Sequence, residues 1–133
     1  MKLTSRSEYA LLALIHLARH VKQEYIPVAA IASAQGIPVK FLEQILLLLK
    51  RARYVRSVTG HGGGYCLAKN AADISLAEVI RLLDGALAPT ESVSRYFYEP
   101  TPIEKEKAII RVFKDIRDYV ARKLENTSLA DIS

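Results

Sequence analysis

The residues with the clearest chemical potential lie between Ile37 and Leu67, in IPVKFLEQILLLLKRARYVRSVTGHGGGYCL. Lys40, Glu43, Gln44 and Leu47 fall mostly opposite a stripe of Phe41, Leu42, Ile45, Leu46, Leu48 and Leu49, which recurs at helical spacing. A polar face therefore opens near the N-terminus of this helix. That is where a helix entering a major groove presents side chains to base edges. Lys50, Arg51, Arg53 and Arg56 follow in quick succession. Gly60, Gly62, Gly63 and Gly64 then allow a sharp reversal.

Other reactive side chains are few. Cys66 is the single cysteine, which excludes an intrachain disulfide framework. It reads either as a buried inert thiol or as a redox switch at the hairpin. His16 and His20, four apart, could share a metal or serve as ordinary surface or core residues. His61 at the glycine tip suits phosphate or solvent. Cys66 and three scattered histidines form no recognisable nucleophile and base arrangement, so the reading is not an enzyme. GHGGGY lacks the lysine of a phosphate loop, and no helix follows it.

These residues need elements to hold them. Pro38 suits a first helical turn, where its missing N–H is not needed. Tyr54, Val55 and Val58 favour extended chain, with Tyr65, Cys66 and Leu67 returning as a second strand. Upstream, Ser5-Arg6-Ser7-Glu8 has the pattern of a capping box for a helix to about His20, with Tyr9, Leu12, Ile15 or His16, and Leu17 inward. Lys22 to Tyr25 is a polar link. Pro27 opens a short helix that Gly36 closes in a left-handed conformation. Alanines 29, 30, 32 and 34 invite close packing. Two helices joined by Gly36-Ile37-Pro38 make a helix-turn-helix.

Ser75 and Glu78 repeat the capping pattern for a helix lined by Leu76, Val79, Ile80, Leu82 and Leu83 and ended by Gly85. Residues 86–102 show no periodicity and read as a loop. From Ile103 to Leu124, Ile109, Phe113, Ile116, Val120 and Leu124 mark an apolar face, with Ile110, Val112 and Tyr119 beside it. A helix of about 22 residues spans about 33 Å, more than one small domain covers. Part of it therefore meets a second chain or packs on its own domain. The fold class is mainly α with a small β-hairpin wing. A winged helix-turn-helix DNA-binding domain occupies 1–85, a sensor or effector loop 86–102, and a dimerisation helix with a C-terminal tail 103–133.

Charge fits this plan. Residues 1–70 carry ten Lys/Arg against three acids and residues 71–133 nine against eleven, so the +5 total sits in the N-terminal half. A basic half of this kind suits a phosphate backbone. No apolar run reaches the length of a membrane span. Glu8, His16, Arg19 and His20 interrupt the first apolar stretch and no cleavage site follows, so it reads as a structural helix and the protein as cytoplasmic, with no membrane partner.

The segments MKLTSRSEYALLALIHLA, IPVKFLEQIL, GHGGGYCLAKNAADISLAEVIRLLDG and ENTSLADI, in this order, resemble the Rrf2 family of bacterial winged-helix regulators. The resemblance implies homodimers with crossing long helices, and two recognition helices and two wings on a palindromic promoter site. It places the positions of Lys40, Glu43 and Gln44 on base edges. Their chemistry agrees, since glutamine pairs with adenine and glutamate accepts from cytosine. The wing of such proteins enters the minor groove, often with an arginine before the glycines. Here that position is Thr59, with His61 at the tip and Arg56 nearby. Lys2, Arg6, Lys50, Arg51 and Arg53 become candidates for phosphate. Cluster-binding relatives carry three cysteines before the long helix. This chain has none there, so no iron–sulfur cluster and no other cofactor is expected. Tyr96, Phe97 and Tyr98 in that loop would line an effector pocket or simply pin the loop. The expected partners are double-stranded DNA, a second copy, and a small-molecule effector or partner protein. The alternatives are a regulator acting through a partner enzyme, or a thiol switch at Cys66.

Overall fold

A computed structural model describes residues 1–22 and 25–133. Five helices and one hairpin follow in the order α1 (Ser5–Arg19), α2 (Val28–Gln35), α3 (Val39–Arg51), β1 (Val55–Val58), β2 (Gly64–Leu67), α4 (Leu76–Asp84) and α5 (Lys107–Glu125). Of the polar link expected at Lys22–Tyr25, Gln23 and Glu24 lie outside the described residues. No single described helix is long and apolar enough to cross a membrane.

The first helix begins one residue earlier than its sequence suggests. Thr4, not Ser5, is the N-cap, and its hydroxyl accepts from Ser7 N–H. The same hydroxyl donates to Asp84 Oδ1 at 2.6 Å, which ties the start of α1 to the end of α4. The buried side is accordingly Ser7, Ala10, Ala13, Leu14 and Leu17, and Tyr9, Leu12 and Ile15 only flank it. In α2 only Ala32 of the four alanines is buried. Gly36 closes that helix at φ +66, a left-handed conformation that glycine adopts without penalty. The chain bends by 115° between α2 and α3, as in a helix-turn-helix.

Leu42, Ile45, Leu46 and Leu49 are the buried side of α3. Phe41 is exposed, with its edge against the Tyr9 ring at 5.7 Å between centroids. Leu48 is half-buried. The core joins these leucines to Leu14, Leu17, Ile31, Val55, Ile74, Val79 and Leu129. The hairpin is antiparallel, with Val55 opposite Leu67 and Arg56 opposite Cys66. A third segment reinforces it. Ile26 and Tyr65 exchange backbone hydrogen bonds of 2.8 Å in both directions. Gly64 makes this approach possible, because a Cβ there would lie 2.2 Å from the Ile26 carbonyl oxygen.

Ser75 and Glu78 form the expected capping box of α4. Of its five expected lining residues, Leu82 instead faces outward. Residues 86–106 are packed more firmly than a bare loop. Short 3-10 turns occupy Glu91–Val93 and Pro102–Lys105, so α5 starts at Lys107 and not at Ile103. Leu87, Ala88 and Val93 are buried. Arg117 clamps this segment by donating to the Val93 carbonyl at 2.9 Å, while Asp118 pairs with Arg95 at 2.9 Å.

The tail returns to the first domain. Leu129 is fully buried beside Ile74, and its N–H donates to the Ile74 carbonyl at 2.9 Å. Leu76 N–H donates to the Thr127 carbonyl at 2.9 Å. Leu129 therefore completes the core formed by α1, α3 and β1.

Candidate nucleic-acid interface

Helix α3 sits with one side in the core and the opposite side in water. Lys40, Glu43 and Gln44 are all exposed on that outer side. No described acid lies within ion-pair distance of any candidate phosphate contact. The ion pairs among the described residues are Arg81–Glu125, Arg95–Asp118 and Arg117–Asp118, all in the C-terminal half. Among the described residues the candidate phosphate contacts are therefore available to an external polyanion.

The basic elbow has a defined geometry. Tyr54 N–H donates to the Leu49 carbonyl at 2.9 Å and Arg53 N–H to the Lys50 carbonyl at 3.0 Å. This is the paired bonding of a Schellman end. It puts the first residue past the cap in the left-handed region, and Arg53 occupies that place at φ +68. Glycine usually takes that place, since a side chain there costs roughly 1–2 kcal/mol. Lys50, Arg51 and Arg53 are exposed around the turn. Beyond it Arg56 projects from β1, and Thr59 and His61 are exposed at the hairpin tip. Lys2 and Arg6 are exposed at the start of α1.

A half-buried connection fixes this elbow to the rest of the molecule, and no sequence motif announces it. The Tyr54 hydroxyl donates to Glu78 Oε1 at 2.9 Å, while Glu78 Oε2 accepts from Ser75 N–H at 2.9 Å. Burial and the Glu78 hydrogen bond push the Tyr54 phenol up to about 12. Burial alone would raise the Glu78 carboxyl. The donors at Ser75 and Tyr54, with Lys69 nearby, outweigh it and hold Glu78 below the usual carboxylate range. Lys69 covers the Tyr54 ring at 4.7 Å.

The remaining candidates separate. Cys66 is half-buried, with the Arg56 guanidinium 3.8 Å from its sulfur, on a cleft of about 1120 Å³ that His20 and Lys69 also line. The His16 and His20 rings stack at 4.3 Å, and His20 Nδ1 lies 2.7 Å from the His16 carbonyl. Burial, then His20 and Arg19, push the His16 imidazole below its ordinary value. Among the described residues no three His, Cys, Asp or Glu gather as metal ligands.

Tyr96, Phe97 and Tyr98 are exposed. The Arg81 guanidinium stands 4.9 Å from the Tyr96 ring, and the Tyr98 hydroxyl donates to Glu104. The space that Tyr96 and Phe97 share with Arg117 and Ala121 is about 10 Å³, room for a water and no more.

On α5 the apolar residues divide into two faces. Ile110, Phe113, Val120, Ala121 and Leu124 pack on their own chain. Ile109, Val112, Ile116 and Tyr119, spaced three, four and three, are exposed. Phe113 and Val120, expected at a dimer seam, are half-buried and pack against clusters of their own chain. Tyr119 replaces them on the outward stripe.

Comparison with known proteins agrees with this architecture. The chain matches the Rrf2 family, described as "Iron-dependent Transcriptional regulator", over residues 3–133. It is 37% identical to an Rrf2-like helix-turn-helix transcriptional regulator of Rhodobacter capsulatus, over 84% of this chain and 77% of that one. It is 33% identical to the regulator IscR of Pectobacterium atrosepticum, over 99% and 79% respectively. The structure of CymR, the global cysteine regulator of B. subtilis, superimposes with a TM-score of 0.85 at 28% identity, covering 99% of this chain and 95% of that one. The chain belongs to the Rrf2 family of winged-helix transcriptional regulators. It is a DNA-binding regulator and not an enzyme.

The family description invokes iron, so the donor set matters. An iron–sulfur cluster is held mainly by several thiolates. This chain has one cysteine, and it lies in the wing strand β2, outside the segment before α5. The residues present do not fit such a cluster.

Proposed function

We propose that the protein acts in the cytoplasm as a homodimer that binds a palindromic promoter site and represses transcription there, without an iron–sulfur cluster. Lys40, Glu43 and Gln44 read base edges in the major groove. Lys2, Arg6, Lys50, Arg51 and Arg53 hold phosphates, and the wing brings Arg56, Thr59 and His61 to the neighbouring minor groove. The exposed Ile109, Val112, Ile116 and Tyr119 meet their copies across a two-fold axis. Half-sites about 34–36 Å apart follow from such a dimer.

The observation that carries this reading is the outer side of α3. Its polar turn is free, flanked by cations that no described acid neutralises. Selection of bound duplexes from a random pool tests it. A two-fold symmetric sequence should emerge, bound with a steep negative dependence on salt. Recovery of unrelated sequences bound with equal strength would reject sequence reading.

A second reading concerns the signal. It is a thiol switch at Cys66, whose sulfur lies 3.8 Å from the Arg56 guanidinium on an open cleft. Peroxide would then weaken operator binding by the native protein and leave Cys66→Ser unaffected. Equal loss in both would remove Cys66 from the signal. Without such a switch, a small-molecule effector or a partner protein remains the signal to seek.

A further inference from the structure

Leu47 contradicts the pattern of the helix that carries it. The buried side of α3 is Leu42, Ile45, Leu46 and Leu49. At 100° per residue, Leu47 falls almost opposite their centre. Its neighbours three and four residues away in both directions are Glu43, Gln44, Lys50 and Arg51, all exposed. Leu47 is itself 42% exposed and joins none of the three apolar clusters. A lone exposed leucine is ordinary on a protein surface. This one occupies the middle of the face whose other members carry hydrogen-bonding groups.

The base edges facing such a helix offer donors, acceptors and one apolar group, the C5-methyl of thymine. We propose that Leu47 reads a thymine methyl in each half-site, about one helical turn along α3 from the base pairs read by Glu43 and Gln44. The assignment rests on the DNA-reading role of α3 and adds a specificity residue to it. Hydrogen bonding by Gln44 and methyl packing by Leu47 together would define adjacent positions of the operator by different physics. Exchange of thymine for cytosine at the Leu47 position would remove the methyl and change the hydrogen-bonding edge. Exchange for uracil removes the methyl alone.

That exchange is the test. Each thymine of the selected duplex is replaced in turn by deoxyuridine, and affinity is measured for the native protein, Leu47→Ala and Leu47→Met. The native protein should lose about fourfold per half-site at one symmetric thymine position, the value of one buried methyl. Leu47→Ala should bind the thymine and uracil duplexes equally, and Leu47→Met should keep part of the preference. Thermal unfolding of Leu47→Ala should match the native protein, since its side chain is outside the core. Absence of any methyl-sensitive position would overturn the proposal, as would an unchanged sensitivity in Leu47→Ala. A change in oligomeric state on Leu47→Ala without DNA would also overturn it. Failure of the parent reading looks different: selection yields no preferred sequence at all.

Discussion

The Tyr54 hydroxyl donates to Glu78 Oε1 at 2.9 Å, across 24 residues of sequence. One carboxylate thereby serves two purposes. It caps α4 through Ser75, and it anchors the residue that follows the basic elbow of α3. The carboxylate lies below its ordinary range in the folded chain. Its contribution to stability is therefore present at neutral pH and is lost as pH falls below the unfolded value and through the folded one. Urea unfolding from about pH 6 to about pH 3 should show a steeper loss for the native protein than for Glu78→Gln. At the alkaline end the sign reverses. Tyr54 is raised to about 12, so its contribution is complete below the ordinary phenol value and fades as pH climbs toward about 12. Tyr54→Phe should remove that alkaline loss.

Arg53 separates stability from binding. Its left-handed backbone suits glycine. Arg53→Gly should raise stability by about 1 kcal/mol while weakening binding to every duplex alike. Denaturant midpoints and anisotropy titrations read the two effects independently. A loss of stability would mean that the arginine side chain contributes more to the fold than its conformation costs.

Base readers and phosphate binders should differ in kind. Gln44→Ala should relax preference at one base pair, at a cost of about 1–3 kcal/mol. Lys50→Ala or Arg51→Ala should weaken all sequences and flatten the slope of log affinity against log salt by about one unit. An unchanged slope would take those two residues off the phosphates.

The two faces of α5 predict two phenotypes. Val112→Asp or Ile116→Asp should yield folded monomers by light scattering, because both side chains are exposed within one chain. Phe113→Ala should instead lower the unfolding midpoint, since Phe113 packs on the cluster of Ala88, Val93 and Ile110. Dimers that survive both aspartates would place the interface elsewhere.

Leu129→Ala should cost about 2–5 kcal/mol, the range for a buried leucine whose site cannot collapse. Leu129 is fully enclosed although it lies in the chain's last turns. A change under about 1 kcal/mol would show that the tail's docking adds little.

Much of this architecture is legible from short-range rules. The left-handed Gly36 and the Ser75–Glu78 box follow from local patterns and are found where those patterns place them. The stripe of α3 is found at Leu42, Ile45, Leu46 and Leu49 but not at Phe41, which is exposed, or Leu48, which is half-buried. Thr4 was hidden because Ser5 and Glu8 imitate a capping box one residue away. The partner that selects Thr4 is Asp84, 80 residues distant. The sorting of α5 is illegible for a related reason. Apolar residues cover more than half its circumference, and periodicity cannot say which of two neighbouring stripes meets its own domain. Leu129 follows no period, because the tail docks through one buried side chain and backbone hydrogen bonds. The outward polar face of α3 was readable, since a face is defined by what its opposite buries. The Tyr54–Glu78 contact was not, since no spacing rule connects them.

The return of the tail to Ile74 changes what the long helix is. With Arg117 fastened to Val93 near the middle of the helix and Leu129 seated beside Ile74 just beyond its C-terminus, α5 is not a portable module. It should not survive excision as a peptide, nor should the N-terminal 85 residues hold their native packing without it. Heating should melt helix and wing in one transition, seen alike by every probe. Grafting this helix onto a foreign reading head would mean transplanting the socket for Leu129 as well.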